Sequence, residues 1–308
     1  FSQEVRTIKY AIVDLGSNTI RLSVYHILPD NHDELLFSKK DMAGLVNYIN
    51  NGVLSESGIE RACTTLEQFR TILQHFGMEK MYVFATAPLR NIRNTAHAVE
   101  TIQNTVGVEV DVLPGDLEAQ LGYYGALRSV NLKNGALFDI GGGSTELVRI
   151  NDGKILRAQS LPIGSLNLFK NHVSKIWPKK KEIEEIRAHI NAALTEANLP
   201  DSKAELICGV GGTARAVLKL SNAWYHRPQN ERCLSLKDLK HITQAMLKQD
   251  DGIRQLILNL CPDRIHTILP GALLMRAVCH AACSGEIVIS RTGVREGYLY
   301  QKILHAQK

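Results

Sequence analysis

The sequence contains no apolar run approaching the ~18–20 residues that span a bilayer, so no transmembrane helix is expected. Its opening stretch, FSQEVRTIKY, lacks the apolar core of a signal peptide. No low-complexity tract interrupts it. Lysine and arginine are not gathered into the dense stripe of a dedicated nucleic-acid binder, and the net charge is only +5. That mild excess suits a small polyanion rather than DNA or RNA. Cysteine is sparse: six residues, at 63, 208, 233, 261, 279 and 283, form no CxxC pair. Cys279 and Cys283 lie four apart in an apolar, helix-like stretch with no histidine pattern around them. The expected reading is buried free thiols in a cytoplasmic protein.

What is present describes an ordinary globular chain. Of 308 residues, 44% are hydrophobic and 22% charged, which excludes a disordered or fibrous protein. The length favours two domains. Short apolar runs predict strands over 10–13, 21–27, 81–85, 108–113, 136–140, 146–150, 155–160, 205–210 and 286–290. Helical periodicity is clearest over 57–76, where Ile59, Ala62, Leu66, Phe69 and Leu73 share a face and Gly77 stands as the terminating glycine. Further helices are expected over 94–106, with Asn94 as N-cap, from about Asp116, over 179–198, and from Ser235, which begins a capping-box-like Ser-x-x-Asp. Pro162, Pro178, Pro200 and Pro228 punctuate loops. The last third reads as mostly helical to Cys283, followed by one strand and a terminal helix.

One unit occurs twice. Ala11-Ile-Val-Asp14-Leu-Gly16-Ser17-Asn18-Thr19-Ile-Arg21 is echoed by Ala136-Leu-Phe-Asp139-Ile-Gly141-Gly142-Gly143-Ser144-Thr145-Glu146. Each reads as a buried strand, an Asp-x-Gly turn and a returning strand. The two aspartates are 125 residues apart, too far for a solenoid repeat and suited to two homologous domains. Glycine lets backbone amides converge on an anion, and the hydroxyls add donors. Asp14, Asp139 and Glu146 offer the hard oxygen ligands that Mg²⁺ requires. Arg21 lies within reach of the same anion. Gly211-Gly212-Thr213 follows a strand and opens a helix, a second place where bare amides favour an anion. Arg90 and Arg93 sit between a strand and a helix, and arginine pairs bidentately with phosphate. Glu118 falls in the first turn of a helix, where a carboxylate by itself is commonly a dipole partner.

Taken together, these segments resemble the exopolyphosphatase/guanosine pentaphosphate phosphohydrolase (Ppx/GppA) family of the actin/hexokinase/Hsp70 superfamily. The matching stretches are DLGSNTIRL (14–22), ATAPLRNIRN (85–94), PGDLEA (114–119), FDIGGGSTE (138–146), PIGSL (162–166), GVGGTARA (209–216), PDR…ILPGA (262–272) and RTGVREG (291–297). They run in order along nearly the whole chain.

The resemblance implies an α/β fold of two actin-like (ribonuclease H-like) domains, each a mixed sheet with flanking helices and a cleft between them. The expected division is 1–124 plus 295–308, with the C-terminal helix returning to the first domain, and 125–294. It implies Mg²⁺-dependent hydrolysis of the terminal phosphoanhydride of inorganic polyphosphate or of guanosine pentaphosphate. Glu118 takes the place of the catalytic base, although Leu117 replaces a neighbouring family acid. Phosphate is assigned to Gly16, Ser17, Asn18, Thr19, Arg21, Arg93, residues 141–145 and Gly211, Gly212 and Thr213. The metal is assigned to Asp139, Glu146 and Asp14. Longer members carry further helical domains, so short polyphosphates are the expected substrate here. Such folds commonly form homodimers. A sugar- or acid-kinase-like transferase and a non-catalytic phosphate sensor are the competing readings. Four carboxylates and the water-activating position of Glu118 weigh against both.

Overall fold

The computed structural model describes residues 8–28, 32–199 and 203–305, which divide into two compact units, 1–114 and 115–308. Pro200 lies outside the described residues. The division falls ten residues ahead of the expected boundary at 124.

The first unit is a five-stranded mixed sheet with helices. Its elements are β1 (Ile8–Leu15), β2 (Ile20–Ile27), β3 (Asp33–Asp41), β4 (Ile49–Asn50), β5 (Val53–Leu54), α1 (Glu56–His75), β6 (Met81–Ala85), α2 (Ala87–Arg90), α3 (Thr95–Val106) and β7 (Val110–Val112). The sheet order is β3-β2-β1-β6-β7, with β1–β2–β3 antiparallel and β1–β6–β7 parallel. The predicted apolar face of α1 is buried through Ile59, Leu66, Phe69 and Leu73 in the core it shares with the sheet and α3. Ser55 caps α1 by accepting from the Gly58 amide. Gly77, at φ +68°, ends it: the Gly77 amide donates to Gln74 O and Met78 to Leu73 O. Asn94 does not cap α3 as expected. Its Oδ1 accepts from the Leu54 amide at 3.0 Å and its Nδ2 donates to Leu54 O at 2.9 Å, so a strand edge takes the side chain away from the helix end.

The second unit comprises α4 (Gly115–Ala126), β8 (Gly135–Ile140), β9 (Thr145–Asn151), β10 (Lys154–Leu161), α5 (Ser165–His172), α6 (Lys180–Glu196), β11 (Ala204–Val210), α7 (Gly211–Trp224), β12 (Cys233–Ser235), α8 (Leu236–Leu247), α9 (Asp251–Leu260), α10 (Ile268–Ala282), β13 (Cys283–Ile289) and α11 (Val294–Tyr298), which continues as a wider turn over Leu299–Leu304. The sheet order is β10-β9-β8-β11-β13-β12. Its first five strands repeat the order and directions of the first sheet, so the duplication seen in the sequence extends to whole sheets. The helix α11 packs on α4: a Cβ at Gly125 would strike the backbone of Gly293, and one at Gly297 the backbone of Leu121. Both helices belong to the same unit. The core is built from α10, α7 and the inner strands, around Phe138, Ile207, Leu269 and Leu274.

Five of the six free cysteines are buried, but Cys233 is exposed on the edge strand β12. Among the described residues no helix is long and apolar enough to cross a membrane.

Candidate active site

Both copies of the repeated unit form the same hairpin. In the first, Asp14 stands directly opposite Arg21, and the Gly16 amide closes the turn on Thr19 O at 3.0 Å. In the second, Asp139 stands opposite Glu146, and the Gly141 amide closes on Ser144 O at 3.0 Å.

The loop carbonyls explain why these turns suit anions. In the second hairpin Gly141 O accepts from the Ser165 amide (2.9 Å), Gly142 O from the Leu166 and Asn167 amides (2.9 and 3.0 Å), and Gly143 O from Asn167 Nδ2 (3.0 Å). The N-terminal amides of α5 are thus satisfied by two loop carbonyls, and a third carbonyl takes the Asn167 side chain. A trans peptide sets its C=O and N–H on opposite sides. The amides of Gly142, Gly143 and Ser144 therefore point together away from α5, which is the arrangement that binds an anion. Gly164 permits this grip, because a Cβ there would lie 2.5 Å from Gly142 O. The first hairpin uses the same device with a different partner. Asn18 O accepts from the Gly44 amide and Ser17 O from Val46, at 2.9 and 3.0 Å, so the amides of Asn18 and Thr19 face the other way.

The hydroxyl of Thr145 is spent inside the fold, donating to Ile163 O at 2.6 Å. Its contribution is to fasten the hairpin to the 162–166 loop. Ser17 and Ser144 are buried within their turns.

The acids and bases flanking the turns differ between the copies. Across the first sheet, Lys40, Arg21 and Asp14 are successive cross-strand neighbours, so they share one face. Lys40 was not anticipated, because its place beside Arg21 exists only once β3 pairs with β2. The corresponding row in the second unit is Ser160, Glu146 and Asp139, and Ser160 Oγ donates to Glu146 Oε1 at 2.7 Å. Two carboxylates directly opposite each other repel unless a cation lies near.

Asp139 is also pressed against the start of α7. Gly211, at φ +84°, has no room for a Cβ because Asp139 Oδ1 occupies that space. Burial raises the Asp139 carboxyl above its usual range, while Arg215 and Arg295 pull it back down. The structure thus brings the Gly211 turn to the second hairpin. Gly212 is bare for a similar reason, since the Arg264 guanidinium lies where its Cβ would be. Burial lowers the pKa of that guanidinium, and no described residue forms a hydrogen bond or ion pair with it. Arg264 falls within the PDR stretch, whose match to the family was the available signal. Thr213 is buried against Gly271 of α10, with its Cγ2 2.7 Å from where a Cβ of Gly271 would be.

Glu118 lies in the first turn of α4 and is 7% exposed, unusual for a residue serving only as a helix-dipole partner. Arg93 is turned to the β4–β5 hairpin: its amide donates to Gly52 O at 2.7 Å and its Nη2 to Asn51 O at 2.5 Å.

Mg²⁺ fits the second hairpin. It asks for one or two carboxylates and completes its shell with water and phosphate oxygens, and Asp139 and Glu146 supply that set. Among the described residues no three His, Cys, Asp or Glu side chains gather as a metal cage.

The chain is similar to known proteins over nearly its whole length. Exopolyphosphatase 1 of Mycobacterium tuberculosis is 24% identical over 303 residues, covering 96% of this chain and 88% of that protein. Exopolyphosphatase 1 of Mycobacterium leprae is likewise 24% identical, over 96% and 89%. By fold, the exopolyphosphatase of Cytophaga hutchinsonii matches with a TM-score of 0.84 at 22% identity, over 97% of this chain and 98% of that one. The Ppx/GppA family member of Aquifex aeolicus matches at 0.74 and 23%, over 98% and 99%. A nucleoside triphosphate hydrolase of Neospora caninum shares the more distant architecture, at 0.53 and 10%, over 98% and 93%. The model of the Ppx/GppA phosphatase family matches residues 29–306, and the chain belongs to that family.

Proposed function

We propose that this chain is a Mg²⁺-dependent exopolyphosphatase, which hydrolyses the terminal phosphoanhydride of inorganic polyphosphate and favours short chains. One observation carries the reading: two hairpins that turn their loop amides outward, one flanked by Lys40 and Arg21, the other by Asp139 and Glu146. The first row is cationic and suits phosphates that are not transferred. The second suits a phosphate accompanied by a divalent cation. Names of relatives point to the same substrate.

In this reading the amides of Asn18 and Thr19, with Arg21 and Lys40, form the first unit's own anion site. The amides of Gly142, Gly143 and Ser144 hold the phosphate that leaves. Arg264 and the N-terminal amides of α7, which opens at Gly211, add donors for charge that develops on the phosphate oxygens. Mg²⁺ held by Asp139 and Glu146 would neutralise phosphate charge and polarise the bond that breaks. Glu118 accepts a proton from the attacking water, which is a poor nucleophile at neutral pH.

The test is phosphate release from short polyphosphate, guanosine pentaphosphate and ATP, each with and without Mg²⁺. Release from polyphosphate that needs Mg²⁺ and exceeds the other two is the expected result. Faster release from guanosine pentaphosphate would replace the substrate. Release from none of the three would leave the phosphate-sensor reading.

A further inference from the structure

A groove of about 910 Å³ runs alongside α6 and α10 of the second unit, and it contains none of the residues assigned above. Its volume is within the range of small-molecule sites, ~300–1,000 Å³. Each helix gives it one face, at helical spacing: 187, 190, 191, 194, 195 and 198 from α6 and its end, and 273, 276, 277, 280 and 281 from α10.

The lining chemistry is selective. Arg187, Arg276 and His280 face the groove, and no aspartate or glutamate does. Among the described residues neither arginine has an ion-pair or hydrogen-bond partner for its side chain. Two unpaired guanidiniums beside one cavity call for an anion, and their planar forks match phosphate oxygens. The remaining walls are unlike an anion site. Leu194, Leu199 and Leu273 add apolar lining, which a bare phosphate chain would leave unused. Asn191 and Asn198 also line it, and each side-chain amide carries both donors and an acceptor. Two guanidiniums, apolar lining and two amides match a ligand with phosphates, a flat apolar ring and a ring edge that exchanges hydrogen bonds.

We propose that the α6–α10 groove binds a nucleoside diphosphate, with its phosphates on Arg187 and Arg276 and its base over the leucines. The site is separate from phosphoanhydride hydrolysis and does not rest on it.

The experiment is calorimetric titration of the full chain with ADP, GDP and pyrophosphate, paired with hydrogen exchange. The expected result is binding of a nucleotide at least tenfold tighter than pyrophosphate, with added protection over 187–199 and 273–281. The double variant Arg187→Ala/Arg276→Ala should weaken nucleotide binding at least tenfold and leave phosphate release unchanged. Should that variant fold poorly, Asn191→Leu, at an exposed position, should weaken nucleotide binding and spare pyrophosphate. Equal affinity for pyrophosphate and nucleotide would overturn the assignment. So would protection confined to 14–21 and 139–146, or no binding of either nucleotide.

Discussion

Asp139 combines a cost to the fold with a proposed place in the chemistry. Its carboxyl is raised above the ordinary value of 3.8 mainly by burial, so the native state holds that proton more tightly than the unfolded chain. Ionising it therefore lowers stability. The penalty is absent below the unfolded value and complete above the raised native one, so this contribution to stability falls as pH rises between them. Asp139→Asn should melt no lower than wild type at neutral pH in the presence of a chelator, while losing Mg²⁺-dependent phosphate release. A clear drop in melting temperature would mean that the carboxylate is held by compensating partners rather than penalised. Glu118 makes the opposite kind of claim, on rate alone. Glu118→Gln keeps size and hydrogen bonding, and should lower kcat by at least ~10²-fold with little change in KM. If Asp116→Asn has that effect instead, the neighbouring acid is the base.

At the scale of elements, the sheet is the part most legible in the sequence. All nine expected strands are present; most carry a buried apolar run, whereas β10 is largely exposed along its length. β3 was missed. Its sequence, DELLFSKKD, neither alternates nor stays apolar, and Leu35, Leu36 and Phe37 are all substantially exposed. The strand exists through its pairing with β2, at the sheet edge, with a bulge between Val24 and Tyr25. Lys40 was hidden with it, as was Arg264, whose meeting with Gly212 joins residues far apart in the chain. The hairpins themselves were legible because their glycines and hydroxyls are consecutive. What holds them was not, since the support comes from α5 and from residues 44–46. Gly164→Ala tests that support. Its new methyl meets the backbone of Gly142 and should cost about 1–3 kcal/mol by overpacking. KM for polyphosphate should rise with it, read by thermal melting and steady-state kinetics together. A normal KM would show that the outward-facing amides are dispensable.

Over the whole molecule the two sheets share one strand order, and the chain carries a net charge of +5. A cationic protein and a polyanionic substrate attract over distances that salt screens, with a Debye length near ~8 Å at physiological ionic strength. Raising salt should therefore lower kcat/KM for polyphosphate while kcat at saturation stays nearly constant; a parallel fall in kcat would point to damage to the fold. The duplicated sheets also place unlike side chains at matching points: Arg21 in one copy and Glu146 in the other, each opposite an aspartate. The copies have parted in temperament. On the proposed function, the first should take a phosphate unaided, whereas the second should take one only once its own charge has been cancelled. Occupation of the enzyme would then follow an order. Without divalent cation, polyphosphate should still be captured on the first unit's hairpin, with no phosphate released. Chelated enzyme should retain measurable affinity for polyphosphate that Arg21→Ala abolishes and Glu146→Gln strengthens.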